Sequence, residues 1–277
     1  MKWISTIALI LSFPIQYPAQ VTAQTQQPET IKQPAQPSGG VPQQSTSRPI
    51  FILPKIPPQL SPISGRRAGM GSRDECPAVA TALTALVPLQ EVQKVGKQTD
   101  ESMIEIVGGL TASERPTFWF YVPYTRDLAN LSSEFILQDS MGKDVYRNAI
   151  ALPPKPGIIG IPLPNTVTPL EVGKTYHWYL KVHCQQTASV PVYVEGDIQR
   201  VNLDSRVMQQ LAAADPQKKI IIYAKEGIWF DALTMLAQKR LSNANDAFVK
   251  EAWQSLLQSI NLGNLATAPL VNSPNHQ

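Results

Sequence analysis

Between residues 100 and 201 the apolar positions alternate in short runs. "SMIEIVGG", "TFWFYVPY", "EFILQD", "KDVYRNAIAL", "GIIGIPLP", "KTYHWYLKVHC" and "VPVYVEGDIQRV" are rich in Val, Ile, Tyr, Phe and Trp. Gly, Pro, Asn and Ser clusters separate them, so each run predicts a strand and each cluster a turn. "QDSMGKD" between two runs predicts a hairpin turn. About seven short strands with regular punctuation predict an antiparallel β-sandwich. After residue 201 the period changes to that of helices. Trp229, Ala232, Leu233, Leu236 and Ala237 repeat at i, i+3, i+4, i+7 and i+8, and Val249, Ala252, Trp253, Leu256, Leu257 and Ile260 carry a second stripe. Asp215 stands as an N-cap before Pro216, and Gly227 marks a stop, which places another helix between them. "LDSRVMQQLAAA" predicts a helix leading into these.

The segment "LEVGKTYHWYLKVHC" (170–184) holds two of the three histidines and one of the two cysteines. As a strand it puts Tyr176, Trp178, Leu180, Val182 and Cys184 on one side, facing a core. His177, Tyr179, Lys181 and His183 fall on the other, facing water, and are the candidate binding residues. The two histidines share a face but are six positions apart, which is roughly 20 Å at strand rise. One ion cannot bind both, so no metal site is assigned. Leu170, Gly173 and Tyr176 have the spacing of the tyrosine corner. The segment therefore resembles immunoglobulin-like and fibronectin type III sandwiches, in which that hydroxyl bonds upstream backbone.

The N-terminus sets the compartment. Lys2, the apolar stretch "WISTIALILSF" and the small residues ending at Ala23 read as a signal peptide over 1–23. No later apolar run is long enough to form a transmembrane helix in the mature chain. Residues 24–64 are rich in Pro and Gln and of low complexity, and predict a disordered linker. Within it, "RPIFILPKIPP" (48–58) is an apolar patch that could be plain linker or a docking segment. A β-sandwich over 65–201, a helical unit over 202–271 and a tail over 272–277 complete the organisation. The fold expected is α+β.

Charge narrows the partners little. The net charge is +3, although residues 24–73 carry six basic residues against Glu29 alone. No aromatics interleave with the arginines, so nucleic acid is not expected as a partner. Cys76 and Cys184 are too few for a cysteine-only zinc site, and in an exported chain they predict one disulfide. No G-x-S-x-G elbow and no phosphate-binding glycine loop occurs, and no cofactor is implied. Glu195 and Asp197 project from one strand face about 6–7 Å apart, a spacing that suits paired carboxylates of a hydrolase acting on carbohydrate or peptide. Solvated carboxylates on the wet face of a strand are the simpler reading.

An ordered series of segments carries a wider resemblance: "GRRAGMGSRDEC" (65–76), "LTALVP" (83–88), "LTASERPTFWFYVPY" (110–124), "EFILQD" and "GKDVYR" (134–147), the 170–184 segment, "VYVEGDIQRV" (192–201), "YAKEGIWFDALTMLA" (223–237) and "PLV" (269–271). Through these the chain resembles an uncharacterised family of exported cyanobacterial proteins, domain of unknown function 928. The resemblance implies no activity and no catalytic residues. The reading is an exported protein of the periplasm or cell surface, a non-enzymatic binding or scaffolding module of the cell envelope with a protein or envelope polymer as partner. The hydrolase on Glu195 and Asp197 is the alternative.

Overall fold

The computed structural model describes residues 50–53, 65–69, 76–94, 102–184 and 190–271. The segment read as a signal peptide over 1–23, the rest of the expected linker and the expected tail over 272–277 lie outside the described residues. Nine strands precede four helices: β1 (Thr84–Ala85), β2 (Leu89–Lys94), β3 (Ser102–Thr111), β4 (Thr117–Val122), β5 (Ser132–Gln138), β6 (Asp144–Ala149), β7 (Gly157–Pro162), β8 (Thr175–His183) and β9 (Val192–Arg200), then α1 (Ser205–Ala213), α2 (Pro216–Lys225), α3 (Trp229–Ser242) and α4 (Ala247–Gln258). The seven runs between 100 and 201 become β3 to β9. β1 and β2 precede them unannounced: one has two residues, and "LQEVQK" is polar at four of its six positions.

The strands form two mostly antiparallel sheets, one in the order β1-β4-β7 and the other β2-β3-β9-β8-β5-β6. Among the described strands β3 and β9 pair parallel, and a further parallel bridge joins Ile158 of β7 to Leu270. Alternation along β4 explains the layering. Phe118 and Phe120 pack on Phe135 and Trp178 of the larger sheet, with ring centroids 4.8–6.4 Å apart. Trp119 points the other way, and its indole N–H donates to Thr234 of α3 at 3.0 Å. The smaller sheet therefore carries a sheet on one face and a helix on the other, a sandwich-like α+β arrangement.

Local signals place the helices. Asp204, Asp215 and Asp246 each accept a backbone N–H from the first turn of α1, α2 and α4. Gly227 ends α2 at φ +72°, a left-handed conformation in which a side chain is strained. α3 packs on β3 and β4, one strand from each sheet. Trp229 enters the core with its indole N–H donated to Leu86 O at 2.8 Å. One continuous apolar cluster runs from Trp178 and Phe118 through Phe230 and Trp229 to Trp253.

Residues before the sandwich are tied into it. Ile52 N–H donates to Ala224 O at 3.0 Å, and the buried Phe51 ring meets Trp229 edge-on at 4.7 Å. Residues 50–53 thus lie against α2 and α3. Further on, Arg66 pairs with Glu195 of β9 while Ala68 pairs with Thr84 of β1, so residues 65–69 cross from one sheet to the other. Cys76 and Cys184 are disulfide-bonded, joining residues 108 positions apart. None of the described helices is long and apolar enough to cross a membrane.

Candidate functional site

β8 alternates as the sequence predicts on its inner side: Tyr176, Trp178, Leu180, Val182 and Cys184 are buried. The tyrosine-corner geometry is present at its start. Glu171 N–H donates to the Tyr176 hydroxyl oxygen at 3.0 Å, Leu170 is buried, and Gly173 takes φ +79°.

The outer side departs from the expectation at one residue. Tyr179, Lys181 and His183 are half-exposed, but His177 is only 8% exposed. The reason lies in the register. β8 and β9 pair antiparallel with His177 opposite Asp197 and Tyr179 opposite Glu195, so both carboxylates of β9 close around one imidazole. Nδ1 lies 2.7 Å from Asp197 Oδ1 and Nε2 lies 3.3 Å from Glu195 Oε2. The Tyr179 ring closes the cluster edge-on at 4.6 Å from the imidazole. Two carboxylate neighbours, one at each ring nitrogen, favour the imidazolium, which donates from both. Burial alone would lower the pKa of His177, but the bonds to Asp197 and Glu195 outweigh it and raise it to about 9.

Glu195 is held from a third direction. β3 pairs with β9 from Asp197 onward, and beside Glu195 the edge of β9 is taken by Arg66, with reciprocal backbone bonds of 3.0 and 2.9 Å. This brings the Arg66 guanidinium over the Tyr193 ring at 4.4 Å, while Lys181 Nζ lies 4.9 Å from the Tyr179 centroid. Farther out, His183 and Arg147 share Glu134, and Arg147 also pairs with Asp144. The face is a lattice of half-exposed charges and two tyrosines around one buried ion cluster.

Both imidazole nitrogens face carboxylates, through one oxygen each of Asp197 and Glu195. His177 and His183 sit at opposite ends of β8. Among the described residues no group of three or more His, Cys, Asp or Glu is arranged to hold a metal ion.

Two concave features were not legible in the sequence. A groove of about 820 Å³ opens between the edge strands β6 and β7, walled by Tyr146, Asn148, Ile161, Pro162 and Asn165. Its lining has no carboxylate, histidine or cysteine for acid–base chemistry. The other is a pocket of about 250 Å³ where the turn between β3 and β4 meets α2 and α3. Asp231 lies in its wall, accepting from Thr111 Oγ1 at 2.7 Å and Ala112 N at 3.0 Å. Burial lifts its carboxyl above the ordinary aspartate range, and those bonds oppose the shift. A signal existed: Asp231 is the single acid inside the apolar run "GIWFDALTMLA".

Among curated proteins, none matches the chain. A family model covers residues 68–270, from the 65–69 crossing to the last bridge of β7. The chain belongs to the family described as Domain of Unknown Function (DUF928).

Proposed function

We propose that the protein is a non-enzymatic binding module of the cell envelope, engaging an envelope polymer through the outer face of β8 and β9. The observation that carries this reading is the pair of tyrosines on adjacent strands, Tyr179 under Lys181 and Tyr193 under Arg66. Each offers a ring beside a fixed cation, a combination suited to a sugar ring or acyl chain bearing acidic groups. His177 contributes rigidity beneath them, and Lys181 and His183 contribute the reachable cations. The tyrosine corner supports an immunoglobulin-like sandwich as the scaffold, a fold that presents binding faces in many settings. The disulfide supports export to an oxidising compartment, in keeping with the signal peptide read over 1–23 and with a periplasmic or cell-surface location. A hydrolase using Glu195 and Asp197 is less well supported, because both carboxylates already serve His177.

Cosedimentation with purified envelope glycan tests the reading. The expected result is saturable binding, weakened at least about tenfold, or 1.4 kcal/mol, by the double substitution Tyr179→Ala and Tyr193→Ala. Equal binding by the folded double variant overturns the proposed face. Turnover of the glycan that disappears with Glu195→Gln and Asp197→Asn overturns the non-enzymatic reading.

A further inference from the structure

We propose that the pocket between the β3–β4 turn and helices α2 and α3 binds a small α-amino acid as its zwitterion, the ammonium on Asp231 and the carboxylate on Arg115. The space comes first. A water occupies roughly 30 Å³ in the liquid, so a pocket of about 250 Å³ holds about eight non-hydrogen atoms, the size of valine.

The pocket lining carries both signs of charge, Asp231 and Arg115, and the two do not pair with each other at ion-pair distance. Asp231 has its donors from Thr111 and Ala112 but, among the described residues, no Lys, Arg or His at ion-pair distance. A carboxylate removed from water and stabilised only by neutral donors is the natural partner of an ammonium group. Arg115 is fixed in place by Val167 O, which accepts from Nε at 3.3 Å and Nη2 at 3.1 Å. A guanidinium has five N–H donors, so three remain. Glu114 approaches Nη1 only to 3.8 Å and is itself more than half exposed, which makes it a weak competitor for those donors.

The rest of the lining is mixed. Thr234 Oγ1 accepts from Trp119, leaving its hydroxyl hydrogen to donate. Phe230 and Met235 supply apolar wall for a short side chain, and the exposed Gln238 also lines the pocket. A bare amine would leave Arg115 unused, and a simple carboxylate would leave Asp231 unused. The zwitterion satisfies both. If Asp231 served only to tie the β3–β4 turn to α3, no ligand preference of this kind would exist.

Titration calorimetry on the full chain with L-valine, N-acetylvaline and valinamide tests the proposal. The expected result is binding of L-valine with Kd of about 1 mM or tighter. N-acetylvaline lacks the ammonium and valinamide lacks the carboxylate, and each binds at least tenfold more weakly. Asp231→Asn keeps an oxygen acceptor for the turn, and Arg115→Gln removes the cation; both lose L-valine binding. The ligand series on the unaltered chain decides the matter even where a variant fails to fold. No heat with L-valine at about ten times that Kd overturns the proposal. So does equal binding of the two blocked derivatives, or full binding by the folded Asp231→Asn protein. The Tyr179→Ala, Tyr193→Ala variant retains the site, which separates this proposal from the one for the sheet face.

Discussion

His177 and Asp197 face each other across β8 and β9, 2.7 Å apart, with both side chains buried on the side of the sheet that the alternation assigns to water. The pair has a pH signature. The folded-state pKa of His177 is about 9, against an ordinary value of 6.5. Because it is raised, its contribution is fully present below pH 6.5 and is lost as pH climbs through 9. A shift of that size corresponds to roughly 3 kcal/mol. Urea denaturation at pH 6 and pH 10 should differ by up to that amount, and His177→Gln should flatten this part of the profile.

Substituting His177 alone does more than remove a cation. It leaves Asp197 and Glu195 facing one another without the imidazolium, which in a buried site costs about 3–5 kcal/mol. Adding Asp197→Asn and Glu195→Gln to His177→Gln should recover much of the loss. Equilibrium unfolding of the single and triple variants checks this. A triple variant no more stable than the single one would show that the carboxylates do not cause the penalty.

Gly196 is opposite Trp178 in the same register. A Cβ placed on it would stand 2.5 Å from Val107 O and 2.6 Å from Trp178 Cζ2. The strand carbonyl cannot retreat without separating β3 from β9, so Gly196→Ala should destabilise by about 1–3 kcal/mol. Thermal melts check the magnitude, and near-ultraviolet circular dichroism reports the displaced indole.

The Cys76–Cys184 bond closes a loop that contains β1 to β8. Removing it with paired serines should lower stability by about 2–4 kcal/mol. Dithiothreitol should produce the same loss in the unaltered protein and none in the serine variant.

Phe51 lies outside the span matched by the family model, yet its ring is part of the core beside Trp229. Phe51→Ala should cost about 3 kcal/mol if residues 50–53 are integral to the fold. A chain beginning after residue 54 should show a similar loss in a denaturant titration.

The sequence by itself determined the elements. Alternation marked β3 to β9, stripes of period 3.6 marked the helices, and Asp215, Pro216 and Gly227 marked the ends of α2. These are local properties, set by which side chains a strand or helix turns toward apolar surroundings. The Tyr176 bond was legible for the same reason, since its partner Glu171 is five residues away. Only the tertiary structure decided what the polar face of β8 does. His177 reads as solvent-exposed until β9 is placed beside it in a register that sets Asp197 opposite and Glu195 two residues along. Partner choice between strands is not written in either strand's own alternation, because a register fits any partner of matching pattern. The Asp231 pocket needed more still: it joins a strand end to a helix 120 positions along the chain.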